Sequence, residues 1–311
     1  MPIGVVTVAL VLVALRESTG RKLRFDVLGS VLGIVVTLPL IWAVVEGERR
    51  GWTDWRILAA FALSAVGLAA FILHEHRSPH AFLPLRFFRE RAFALANFGG
   101  LFSAGVFGAI FLLSQFLQVS MGYGALEAGL RAAPWTLAPM VVAPLSGFIV
   151  QRLGVKPVLI TGLALQAAAI LVIALRIEAR TEYADVVLPM VAAGIGMGLT
   201  FAPLASAVLT GRVESEQGIA SSVNSTLRQL GMAVGIALAT AIFVGSGDYL
   251  PGQPFVDGMR PALLTCAAIT AAGAVAMIGL PRRATAADAG PRASASASVP
   301  SPEPATAGRS L

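Results

Sequence analysis

Seventeen Asp and Glu residues are spread along the 311-residue chain, and each lies in a polar stretch or at the end of an apolar run. Carrying a proton through an apolar layer requires a protonatable group inside that layer. No carboxylate in this sequence is placed to do so. His74, His76 and His80 have the spacing of metal ligands, but Glu75 is the one further donor beside them. That set is too small to complete a site, so these histidines read as an interfacial loop. Cys266 is the single cysteine and sits inside an apolar run, which makes it a small core residue and excludes an intrachain disulfide. No Gly-rich phosphate loop of the Walker type is present, and no Ser, His and Asp are arranged around a nucleophile.

The polar groups inside apolar runs are uncharged: Asn97, Ser103, Ser114, Gln115, Gln118, Thr161, Gln166 and Thr200. Amides there can hydrogen-bond across helices or to a ligand. With Phe102, Phe107, Phe111 and Phe116 nearby, they would suit a bulky apolar ligand, and interhelical packing fits each of them as well. Pro134, Pro139 and Pro144 recur every five residues, and each removes a backbone hydrogen bond. A bent, gating helix and a packed, kinked helix both follow from that pattern. Gly100, Ala104 and Gly108, then Gly194, Gly196 and Gly198, then Gly231 and Gly235 allow helices to approach closely.

These residues need an apolar scaffold, and the composition supplies one. The chain is 56% hydrophobic and 13% charged, with mean hydropathy +0.79. A soluble domain carries about a quarter charged residues. Uncharged runs of spanning length give eight candidates: 27–45, 57–73, 93–119, 132–150, 157–175, 186–210, 230–245 and 261–280. A ninth run, 3–15, is short and reads as a partial helix. The net charge of +6 lies in short loops rather than in a basic, aromatic-interleaved stretch, which argues against nucleic-acid binding. Fourteen Lys and Arg fall on one side, Arg228 counted among the loops, against seven on the other. The richer side is the cytoplasmic one, and the C-terminus lies with it. Trp42, Trp52, Trp55, Tyr123, Trp135, Tyr183 and Tyr249 all map to the outer interface. The expected organisation is a partial helix at 1–15, a hairpin at 27–73 and a cytoplasmic loop at 74–91. A six-helix unit at 92–280 and a disordered, Ala-, Ser- and Pro-rich tail at 281–311 complete it.

Several segments then point to one family. "FLPLRFFRERAFALANF", "YGALEAGLRAAPWTLAPMVVAPLSGFIVQRLGVKPVLITG", "QGIASSVNSTLRQLGMAVGIALATAIF" and "RFDVLGSVLGIVV" resemble the ninth, tenth, thirteenth and seventh spans of the fourteen-span drug:proton antiporters of the major facilitator superfamily. The resemblance runs over almost everything from Met1 to Leu280. It implies an all-α integral membrane protein of the cell membrane, made of a C-terminal six-helix half, a leading two-helix linker hairpin and a partial first helix. "MPIG" resembles the start of the sixth span, so five spans and part of a sixth would precede such a chain in an intact member. The implied activity is efflux of hydrophobic or cationic small molecules in exchange for protons, with no cofactor and no enzymatic step. An inactive fragment, a half needing a partner half, and an exporter of an endogenous metabolite or lipid are the alternatives.

By that resemblance Asn97, Phe107, Phe111, Gln115, Gln118 and Gln166 would line the path, with Pro134, Pro139 and Pro144 at its gating bends. The superfamily's loop pattern, Gly-x-x-x-Asp-Arg-x-Gly-x-Arg/Lys, is matched at Gly147, Arg152, Gly154 and Lys156. Gln151 stands at the Asp position and cannot supply its charge, which weakens any conformational latch at this loop.

Overall fold

The computed structural model describes residues 26–78, 85–209 and 214–281. The partial helix expected at 1–15, the tail beyond 281, His80 and Arg212 lie outside them. The described residues form nine α-helices and one 3-10 turn, with no strand among them. They are α1 (Val27–Arg50), α2 (Trp55–Arg77), the 3-10 turn Leu85–Arg89, α3 (Arg91–Phe102), α4 (Ala104–Val119), α5 (Ala125–Leu153), α6 (Val155–Arg176), α7 (Tyr183–Leu209), α8 (Glu214–Ser246) and α9 (Gln253–Ile278). With α3 and α4 counted as one span, eight helical segments are long and apolar enough to cross a membrane. Each overlaps one of the eight uncharged runs.

The hairpin is set by its turn residues. Asp26 caps α1 by accepting from the Gly29 N–H at 2.8 Å, and Asp54 caps α2 by accepting from the Arg56 N–H at 2.7 Å. Gly51, at φ 89°, makes the reversal between them. His74 Nε2 lies 3.0 Å from Asp26 Oδ2, which ties the start of α1 to the end of α2. The hairpin leans on the six-helix unit through α1 against α8. Within that unit α6 is enclosed by α7 and α9, while α4 packs on α8 and α9.

Four sequence expectations change. The loop expected from His74 begins only after Arg77, because basic residues in a last turn favour the helix end and do not stop it. The helix closes where Ser78 donates to His74 O at 2.8 Å ahead of Pro79. The run 93–119 is broken at Ser103, whose hydroxyl bonds back to Gly99 O at 3.2 Å just past the Gly99–Gly100 pair. Trp135 is not interfacial: it is 1% exposed, inside the cluster formed with Phe116, Met190 and Phe255. The span expected from Leu230 begins at Glu214 instead, so Arg228 is a helix residue and not a loop residue.

Glycine decides how closely the helices cross. A Cβ at Gly235 would collide with the Ala104 backbone, one at Gly231 with Leu101, and one at Gly108 with Gly235 O and Cys266 Sγ. On the other flank Gly162 and Gly196 each face the other's carbonyl across the α6–α7 crossing. The small residues therefore act as packing devices. They explain why Cys266 is buried, 2% exposed, beneath Gly108.

Candidate functional site

The helix α4 has two unlike faces. Gly105, Gly108, Leu112 and Phe116 turn inward and are buried against α8 and α9. Phe107, Phe111, Ser114, Gln115 and Gln118, spaced by three and four residues, form the opposite stripe and stay partly or fully exposed. Gln118 donates back to Ser114 O at 3.2 Å, which leaves its carbonyl oxygen available. The sequence spacing thus brings four of the six expected path residues onto one open surface.

The other two lie elsewhere. Gln166 is 0% exposed in the α6–α7 seam, where it donates to Thr200 Oγ1 at 2.8 Å and to Gly162 O at 3.2 Å. Its Oε1 has no hydrogen-bond partner among the described residues. Asn97 is also 0% exposed, donates to Phe93 O at 2.9 Å, and accepts from Asn224 Nδ2 at 3.4 Å across the α3–α8 contact.

Three residues that the sequence reading did not single out complete the region. Phe107 stacks on Phe201 of α7 with ring centroids 5.9 Å apart. The Arg228 guanidinium lies 5.6 Å from the centroid of the Phe201 ring. Asn224, one turn before Arg228, packs with it and with Leu204 over the buried Gly100. Gly100 is nine residues past Arg91 and Phe201 is eight before Leu209, so this cluster stands about 12 Å in from the start of α3 and the end of α7. Arg228 also falls inside the spanning segment Glu216–Ser246. Among the described residues it has no ion pair and no hydrogen bond. A cation within the bilayer costs about 3 kcal/mol on insertion scales. A single cation–π contact returns about 1 kcal/mol, more when desolvated. The signal was available: 224, 228, 231 and 235 continue the Gly231/Gly235 face backwards at helical spacing. Requiring charge-free runs hid it.

The three prolines sit in one unbroken helix, α5. Pro139 leaves the Trp135 carbonyl without its helical donor, and Gly194 of α7 presses against that same oxygen. Gly198 packs likewise on Pro139 and Val142. Neighbouring glycine thus accommodates the break at Pro139, while Pro144 faces outward, exposed.

In the loop motif, Gly154 ends α5 at φ 83°, a conformation that favours glycine. Lys156 Nζ donates to Ile278 O at 2.6 Å and so satisfies a terminal carbonyl of α9. At the opposite end Arg260 donates to Ile177 O at 2.7 Å, beyond the end of α6. Gln151 and Arg152 are exposed, with no hydrogen bond or ion pair among the described residues, and Gly147 has open space around it.

This aromatic and amide-lined face lies on a bundle of helices long and apolar enough to cross a membrane. Residues 93–306 match the family model of the Major Facilitator Superfamily, and the chain belongs to that family. It is 30% identical over 266 residues to the multidrug transporter protein MdtP of Bacillus subtilis, covering 83% of this chain and 49% of that protein. It is 31% identical over 248 residues to the multidrug resistance protein Stp of Mycobacterium tuberculosis, covering 78% and 45%. It is 29% identical over 253 residues to the methylenomycin A resistance protein of Streptomyces coelicolor, covering 80% and 52%. The chain spans about half the length of these curated relatives. It is a multi-pass membrane protein of that superfamily.

Proposed function

We propose that this chain forms one wall of an alternating-access path that exports small amphipathic molecules in exchange for protons. The observation that carries the reading is the open stripe Phe107, Phe111, Ser114, Gln115 and Gln118 on a helix whose opposite face is closed by glycine against α8 and α9. Aromatic rings and uncharged amides bind bulky apolar ligands without demanding one shape. The multidrug names of two relatives support that substrate class. In this architecture substrate passes between two halves, each presenting a face like this one. Every described Asp and Glu sits in a loop or near a helix end, so the proton carrier of this reading lies outside the described residues. The reading puts the C-terminus on the cytoplasmic side, which the loop count of thirteen to seven, with Arg228 removed, supports.

The test is dye export from inverted vesicles under a proton gradient, using the chain alone and the chain fused behind the N-terminal half of the Bacillus subtilis relative. The fusion should export and the lone chain should not. Gradient-driven export by the lone chain would sink the one-wall reading. A membrane-inserted fusion that moves no dye would sink efflux itself.

A further inference from the structure

Arg228 is the one residue of the described path region that bears a formal charge at membrane depth, and neither Asp nor Glu answers it. Intramembrane arginines are ordinarily paired with an anion or a backbone carbonyl. This one faces a ring instead. Its guanidinium lies over Phe201, Phe201 stacks on Phe107, and Phe107 belongs to the open stripe of α4. Asn224, one turn away on the same helix, packs with the arginine over Gly100 and donates to Asn97 at 3.4 Å. The arrangement is a cation at the inner end of an aromatic and amide surface, partly open, with five N–H donors and no oxyanion.

We propose that Arg228 is a substrate-binding residue that recognises the oxyanion head, a carboxylate in the first instance, of an amphipathic aromatic molecule. Phe201 and Phe107 would stack the ligand's apolar body, and Asn224 would contribute an amide beside the head group. A guanidinium binds carboxylate and phosphate oxygens through paired N–H donors, and a low-dielectric surrounding strengthens such a contact. The site would therefore accept acids that a purely apolar surface would reject. The proposal rests on the transport-path reading for its location, and equilibrium binding tests it without any export step.

The experiment titrates the chain in phosphatidylcholine nanodiscs with pyrenebutyrate and with its uncharged amide, correcting for empty discs. Wild-type protein should bind the carboxylate about tenfold more tightly than the amide, a ratio of ordinary size for one charge-assisted contact. Arg228→Gln should erase the ratio while still binding the amide, and Arg228→Lys should keep part of it. Phe201→Leu should weaken both probes and leave the ratio standing. If Arg228→Gln binds neither probe, Arg228→Lys decides: retained preference supports the site, and its loss in a variant that still binds the amide overturns it. An unchanged ratio in Arg228→Gln overturns the proposal outright. Repeating the titration with phosphatidylglycerol in the discs separates the two sources of oxyanion. Competition by that lipid assigns the site to a lipid phosphate, and indifference to it assigns the site to a free acid. Export by the fusion can fail with the ratio intact, and the ratio can fail with export intact.

Discussion

Helices α5 and α6 are neighbours in sequence and both are apolar, yet they live in different surroundings. In its most apolar stretch 56% of α6 is buried within the protein, against 11% of α5. The side chains of α6 are locked between α7 and α9, and its buried amide Gln166 is spent on Thr200. One edge of α5 is bound to α7 through prolines and glycines, and the rest offers Leu126, Leu130, Leu137, Val141 and Phe148 to its surroundings. Apolar content records that a helix leaves water. It does not record whether lipid or protein receives it, because in hydrocarbon both are equally dry.

Substituting glycine tests this contrast most strongly. Gly235→Leu drives a side chain into the Ala104 backbone and should cost about 3 kcal/mol, seen as lost folded yield or a much lower Tm in detergent. Gly147→Leu on α5 meets open space and should gain up to about 1 kcal/mol by removing a helix-interior glycine. A clear loss at Gly147 would show that the exposed face of α5 is covered by protein in the assembled transporter.

A pair of amides gives a smaller difference. Gln166→Ala removes a buried interhelical hydrogen bond and leaves a cavity, for about 2 kcal/mol of thermal stability. Gln118→Ala, on the open stripe, should stay within about 0.5 kcal/mol and show its effect in ligand binding instead. Equal losses would mean that the stripe is structural.

The smallest effects belong to the two clamps between α6 and α9. Lys156→Met and Arg260→Met each remove one donor from a terminal carbonyl, for about 1 kcal/mol apiece. The residues sit at opposite ends of the pair, so a double variant should show the plain sum in the same melting assay. A double loss well short of the sum would show the two ends to be coupled.

The contrast also explains what could be read without coordinates. All eight spans could, since hydropathy over a bilayer's width is a long and redundant signal. The α4 stripe could too, because a spacing of three and four survives in the order of Phe107, Phe111, Ser114 and Gln118. Helix ends were less accessible. The helix α2 runs through charged His74–Arg77, and α8 starts well before the charge-free region it contains. Hydropathy marks where lipid begins, whereas backbone hydrogen bonding decides where a helix does. Gln166 and Gln115 look alike as letters, and only the crossing of α6 with α7 buries the first. Arg228 was misread for the converse reason. Charge normally signals a loop, and nothing local reveals the aromatic ring from another helix that accompanies it.

The break at Ser103 gives the bundle a mechanical property as well. The sixteen residues of α4 beyond it form a rod of about 24 Å. A pivot of about 5° at its base carries the far end, near Gln118, sideways by about 2 Å. Gly105, Gly108 and Gly235 key the rod closely to α8 and α9. Phe107 and its stacked partner lie beside the fulcrum and hardly travel, while the amides lie far along the lever arm. A rod hinged this way would move most at its amide-bearing end and least at its charged end.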